Sequence, residues 1–166
     1  MHPEAAVVLN ISEDHLDRYA TLAEYIVAKQ RIYQGNGVMV LNADDSQVMA
    51  MQQPGRKQLT FSLRADRGDF RVGQHQGELY LARAESPSVS SLNREETQTT
   101  PEMLLPAVAM RLPSAIMRAN ALAALALGEA VGLPRPAMLE ALREFRGLPH
   151  RCTWVATQQG VAWFND

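Results

Sequence analysis

Three places in this 166-residue chain hold residue types whose spacing can do chemistry. The run Glu13-Asp14-His15-Leu16-Asp17 gathers an imidazole and carboxylates just past an apolar segment. Such a cluster can hold a divalent cation, and carboxylate oxygens suit Mg²⁺. Taken alone it reads more readily as the charged start of a helix, where acidic groups meet the positive end of the dipole. Lys29 falls three or four residues from Tyr25, Ile26, Ile32 and Tyr33, on the apolar stripe rather than the polar face. A buried ammonium is costly, so a lysine there loses its proton, finds a carboxylate, becomes modified, or snorkels past Tyr25 to water. Asn120 sits in the stripe Met117, Ala121, Ala124, Leu127 and Val131. A buried amide needs partners, supplied by a neighbouring loop or by an adenine edge. His2 and His75 have no evident partner, and Met103, Met110 and Met117 read as core fill.

Other chemistries lack their motifs. No G-x-x-x-x-G-K-[ST] phosphate loop, serine nucleophile elbow, His-Glu-x-x-His helix or set of paired cysteines occurs in the sequence.

The elements that must carry these residues follow from hydrophobic periodicity. Ala5–Leu9 is a continuous apolar run, read as a buried strand, and Ser12 offers a helix cap after it. A helix is predicted over Leu22–Tyr33, stopped by Gly35 and Gly37. Val38–Leu41 is a second buried strand, followed by Asn42-Ala-Asp-Asp45 and a short helix from Ser46 to about Gln52. This order predicts a parallel sheet covered by helices, with function in the loops at the strands' carboxyl ends. Lys57–Leu63, Asp69–Val72 and Glu78–Ala82 alternate polar and apolar residues and read as antiparallel strands with one wet face. Ser86–Thr100 reads as a surface loop. Helices follow over Ser114–Val131 and Pro136–Phe145, then a hairpin from Cys152–Thr157 and Val161–Phe164 around Gln158-Gln-Gly160. The pattern is one α/β domain plus the first hairpin of another.

Composition narrows the function classes. Sixteen Lys and Arg face eighteen Asp and Glu, so no charge excess points to a nucleic-acid or anionic-membrane partner. Cys152 is the single cysteine, which suits a reducing, cytoplasmic setting. No apolar run approaches the roughly 18 residues of a membrane span.

Five motifs succeed one another: Leu9-Asn-Ile-Ser-Glu-Asp-His-Leu-Asp-Arg-Tyr19, Tyr25-Ile-Val-Ala-Lys29, Val40-Leu-Asn-Ala-Asp-Asp45, Asn120-Ala-Leu-Ala-Ala124 and Gly147-Leu-Pro-His-Arg151. In that order they resemble the Mur ligase family of bacterial cell-wall synthesis, over nearly the whole chain except Ser86–Leu105. Phe145-Arg-Gly-Leu-Pro-His-Arg151 with Trp163-Phe-Asn-Asp166 is similar to the branch of that family adding D-glutamate to UDP-N-acetylmuramoyl-L-alanine.

The resemblance implies a cytoplasmic, monomeric, ATP-dependent ligase of peptidoglycan synthesis working through an acyl phosphate. His15 and a carbamylated Lys29 would hold Mg²⁺, Asn120 would meet adenine, Arg151 the ATP phosphates and Asp166 the ribose. Residues 1–147 would be the carboxyl-terminal part of a central, ATP-binding α/β domain, its mainly parallel sheet flanked by helices and extended by a small antiparallel portion. Residues 148–166 would open a Rossmann-like C-terminal domain. The phosphate loop is then expected before residue 1 and most of the D-glutamate site after Asp166, so the expectation is a fragment inactive alone.

Ser114-Ala-Ile-Met117 stands where the family reads Gly-x-His-Asn, so Ile116 and Met117 replace two polar residues, one of them near adenine. That departure keeps open a non-catalytic binding or scaffold module. A small metal-dependent hydrolase built on Glu13, Asp14 and His15 is a third reading.

Overall fold

The computed structural model describes residues 2–12, 18–84, 100–112, 114–148 and 153–165. A six-stranded sheet runs in chain order: β1 (Ala5–Val8), β2 (Val38–Asn42), β3 (Gln58–Ser62), β4 (Phe70–His75), β5 (Glu78–Arg83) and β6 (Glu102–Pro106). Pairings from β1 through β4 are parallel, and β4–β5–β6 is antiparallel. Helix α1 (Leu22–Gln30), continued by a 3₁₀ turn at Arg31–Tyr33, connects β1 to β2, and α2 (Ser46–Met49) precedes β3. Helices α3 (Ala115–Ala130) and α4 (Arg135–Glu144) follow the sheet. A separate two-stranded sheet comprises β7 (Thr153–Gln158) and β8 (Val161–Asn165).

Alternation along β2 explains the two layers. Val38 and Val40 enter a core with Leu59, Phe61, Phe70, Leu81, Leu105 and the buried face of α3. Met39 and Leu41 point the other way, joining Ala6, Val8, Tyr33, Val48 and Met51. A strand buried on both faces needs an uninterrupted apolar run, and Val38–Leu41 is one. Leu122 and Leu125 anchor α3 at 1% exposure or less, each burial favourable by about 1.5–3 kcal/mol.

Two sequence expectations are corrected, and one strand forms where none was expected. β3 is parallel to both its neighbours rather than antiparallel, because alternation reports which faces are wet and not strand direction. β6 emerges from a segment without alternation; like β1 it lies at an edge of the six-stranded sheet, where the terminal Pro106 costs no inner ladder bond. The helix after Leu22 tightens into a 3₁₀ turn, leaving Ile32 46% exposed although Tyr33 is buried. Both hairpin turns use the dipeptide Gln-Gly, Gln76-Gly77 and Gln159-Gly160, with φ positive at both residues as a tight two-residue turn demands.

Tyr33 ties α1 to the sheet. Its hydroxyl donates to the Val40 carbonyl (2.7 Å) and accepts from the Val8 amide (2.9 Å), spanning β2 and β1. Arg56 adds a second tie, donating from Nε to the Gly37 carbonyl at 2.9 Å and from Nη1 to the Tyr33 carbonyl. Burial pushes the Tyr33 hydroxyl from 10.0 up to about 12, against the opposing pull of the Val8 amide and the Arg56 charge. The folded state therefore keeps a proton that the unfolded chain releases, so this stabilisation is complete below pH 10 and lost as pH rises through about 12. Tyr33→Phe should cost about 1–3 kcal/mol by leaving a buried amide and carbonyl unpaired. Urea midpoints across that alkaline range should fall less steeply in the variant than in the wild type.

Candidate functional site

Two places on the fold collect the candidate residues. The first lies where β1, β2 and β3 end. A chain leaving a parallel strand exposes backbone groups that the next turn must satisfy, and here side chains following β2 do so. Asn42 Nδ2 donates to the Leu9 carbonyl at 2.8 Å, and Asp45 Oδ2 accepts the Ile11 amide at 2.7 Å. The other Asp45 oxygen accepts the Gln47 and Val48 amides at 2.9 and 3.1 Å, capping α2. Asp44 performs the same service for β3, taking the Ser62 hydroxyl at 2.6 Å and the Leu63 amide at 2.7 Å.

Lys29 joins this cluster from α1. Its ammonium donates to the Asn10 carbonyl at 3.0 Å and lies 4.8 Å from the centre of the Tyr25 ring. The side chain is half-buried, so its charge is met by a carbonyl dipole and an aromatic face while part of it reaches water. Helix α1 is fixed at its start by Thr21, which accepts the Glu24 amide at 3.2 Å, while Glu24 accepts the Ala20 amide at 3.0 Å. Its end is fixed by Tyr33. Lys29 therefore projects from a helix anchored at both ends toward the Leu9–Ile11 segment.

The second place is a cleft of about 430 Å³ beside the first turns of α3. Met110, Leu112, Ile116, Met117, Ala121, Ala124, Leu142, Phe145 and Leu148 give it apolar walls, and Asn120 and Arg111 are its polar side chains. Size and lining suit a small planar ligand held mainly by contact and oriented by few polar groups. Asn120 and Ala124 line this cleft exposed rather than buried, and Val131, outside it, is exposed too. The face α3 lays on the sheet is centred on Ala121, Leu122, Leu125 and Ala126, leaving Asn120 and Ala124 on the flank toward α4. Ser114 caps α3 by accepting the Met117 amide at 3.2 Å, and Ile116 stands 73% exposed.

Of the residues proposed from sequence, Lys29 belongs to the strand-end cluster and Asn120 to the cleft. The two places share no lining or hydrogen-bonding residue. Glu13, Asp14, His15, Asp17, Arg151 and Asp166 lie outside the described residues. Among the described residues, no group of three or more His, Cys, Asp or Glu is arranged to hold a metal ion, and no helix is long and apolar enough to cross a membrane. From sequence alone Asn42, Asp44 and Asp45 are only a motif after a strand. The signal for their role was the placing of three polar side chains directly after a wholly apolar strand.

A mainly parallel sheet flanked by helices, with a lysine held at its strand ends and an apolar cleft beside α3, makes this an α/β domain. Residues 1–128 match the Mur ligase middle domain, and the chain belongs to the Mur ligase family. It is 49% identical, over 163 residues and 98% of its length, to the UDP-N-acetylmuramoylalanine–D-glutamate ligase of Nitrosococcus oceani, covering 32% of that protein. Further curated relatives at 41–44% identity carry the same name. The chain thus spans about a third of the length of the curated relatives it matches. Among solved structures, it superposes on MurF from Acinetobacter baumannii with TM-score 0.69 at 16% identity, over 99% of this chain and 34% of that one. MurF from Thermotoga maritima, solved with ADP, gives 0.65 at 18% identity over 99% and 35%. At such identities these structures speak for the fold.

Asp45→Ala should release the Ile11 amide and uncap α2 together, costing about 1–3 kcal/mol. Urea denaturation should register that loss, with faster hydrogen exchange at the Ile11, Gln47 and Val48 amides.

Proposed function

We propose that this chain is the central, ATP-handling portion of a ligase that joins D-glutamate to UDP-N-acetylmuramoyl-L-alanine in the cytoplasm. The observation carrying this reading is the 49% identity to a D-glutamate ligase along 98% of the chain, a span that includes Lys29 and Asn120. In the reaction, the alanyl carboxylate attacks the γ-phosphorus of ATP, and ADP departs. The amine of D-glutamate then attacks the acyl phosphate carbonyl, inorganic phosphate leaves, and the amine's proton passes to solvent. Residues 1–147 belong to the central domain and 148–166 to the start of the next.

The cleft supplies the adenine seat. Its walls exclude water from the two faces of a base, and the Asn120 amide offers one donor and one acceptor to the base edge. Arg151 is assigned to the phosphates and Asp166 to the ribose.

Lys29 as an ammonium is a donor and not a metal ligand. Carbamylation joins its neutral amine to CO₂ with release of a proton, creating a carboxylate-like group. The carbamate nitrogen keeps one N–H, so the bond to the Asn10 carbonyl can persist. The donor set then fits a hard cation, and Lys29 with His15 would hold Mg²⁺, which when bound neutralises phosphate charge. The tie to Asn10 orients Lys29, and Asp45 and Asn42 keep the Leu9–Ile11 segment in place.

A second reading, a non-catalytic module derived from such a ligase, is favoured by Ile116 and Met117, which leave the cleft mouth apolar.

The test grafts residues 1–166 into the matching third of the Nitrosococcus oceani enzyme. Phosphate release should depend on both UDP-N-acetylmuramoyl-L-alanine and D-glutamate, and Lys29→Ala should reduce it about 100-fold or more, with partial recovery in a short soluble carboxylate. Full activity of Lys29→Ala would remove the assignment of Lys29. A graft that is active only after Ile116→His and Met117→Asn would establish the non-catalytic reading instead.

A further inference from the structure

Helix α4 forms one wall of the cleft, yet it is lightly held. None of its residues is fully buried, and Met138, Leu139 and Leu142 are the side chains it lays against the main core. A helix with so little buried surface takes its position from a few specific contacts. Two are evident.

The first is a notch in α3. Gly128 is buried, and a Cβ there would overlap Met138 Sδ and stand 3.5 Å from Leu133 Cδ1. Glycine inside a helix costs about 1 kcal/mol relative to alanine. What it provides here is room for the Met138 sulfur against the α3 backbone. The second contact is ionic. Arg135, at the start of α4, lies 2.7 Å from Glu102 of β6 and 3.4 Å from Glu129 of α3. The other Glu129 oxygen lies 2.8 Å from Arg83, itself stacked 4.8 Å from the Phe70 ring centre. The ion pairs fix where α4 begins, and the notch fixes how closely it approaches α3. Leu142 follows Met138 by one helical turn, on the same face, and lines the cleft with Phe145.

We infer that the Gly128–Met138 notch is a positioning device that sets the width of the cleft between α3 and the end of α4. A radial gap of about 0.5–1 Å forfeits a quarter to a half of each dispersion contact, so a base held mainly by apolar walls is sensitive to this spacing. The consequence for a nucleotide rests on the reading under Proposed function; the seating of α4 does not.

The experiment compares wild type, Gly128→Ala, Gly128→Ala with Met138→Ala, and Met51→Ala in the core on the opposite face of the sheet. Carbon-13 methyl spectra are recorded with and without ATP on residues 1–166 grafted into the Nitrosococcus oceani enzyme, because the phosphate loop is expected before residue 1. Gly128→Ala should move the Met117, Leu142 and Leu148 methyl signals and weaken ATP binding about fivefold. Removing the obstructing sulfur should return both to within about twofold of wild type. Met51→Ala should lower the urea midpoint and leave the cleft signals and ATP affinity unchanged, which separates positioning from general destabilisation. Unmoved methyl signals in Gly128→Ala, or no rescue by Met138→Ala, would overturn the inference. Moved signals with unchanged ATP affinity would overturn its link to the base. Wild-type cleft signals that ignore ATP would count against the nucleotide reading, and the methyl shifts without ATP would still decide the notch.

Discussion

One buried hydroxyl holds the arrangement that everything else presupposes. Tyr33 ends the α1 segment and inserts its phenol beneath two neighbouring strands, giving a proton to β2 and taking one from β1. Both hydrogen bonds are buried, so neither backbone group has water as an alternative partner. The contact thereby decides where α1 ends relative to the ends of β1 and β2. Because Lys29 is four residues earlier on the same segment, its reach to Asn10 depends on that anchor.

The two candidate places are supported in different ways. The strand-end cluster is organised by polar side chains that satisfy backbone groups, and each contact is short and directional. The cleft is organised by packing: α3 is bolted to the sheet through small and aliphatic residues, while α4 is an added wall with little buried surface. Polar pinning suits groups that must be held at a defined atom, and apolar walls suit a ligand recognised mainly by shape.

Much of this was legible in the amino-acid sequence. Val38–Leu41 announced a strand buried on both faces, and the order of the first elements announced a parallel sheet. Lys29 drew notice because an ammonium sat on an apolar stripe, and the structure gives it a carbonyl and an aromatic face there. Asn120 was placed in the right helix but on the wrong side of the buried boundary. Periodicity locates a face relative to its own helix, and the extent of cover depends on where α4 docks. Direction was lost at β3, since alternation is the same in parallel and antiparallel strands. β6 was missed because an edge strand needs neither alternation nor freedom from proline. The roles of Asn42, Asp44 and Asp45 were hidden because their partners, Leu9, Ile11, Ser62 and Leu63, are remote in sequence and adjacent only once the sheet has formed.

A sheet whose spatial order equals its chain order has a consequence for synthesis. Each strand pairs with the one before it, so the sheet can extend as the ribosome delivers it, with short loop closures at most steps. Helix α3 breaks that locality. It covers Val38, Val40, Leu59, Phe61 and Phe70, yet its anchoring Leu122 and Leu125 are made long after them. Through that interval one apolar side of the nascent sheet has no lid. The stage most exposed to misassociation falls between completion of β4 and arrival of α3, a span that includes the polar segment before β6. A long hydrophilic stretch at that point in the chain delays the cover without adding further sticky surface to what is waiting for it.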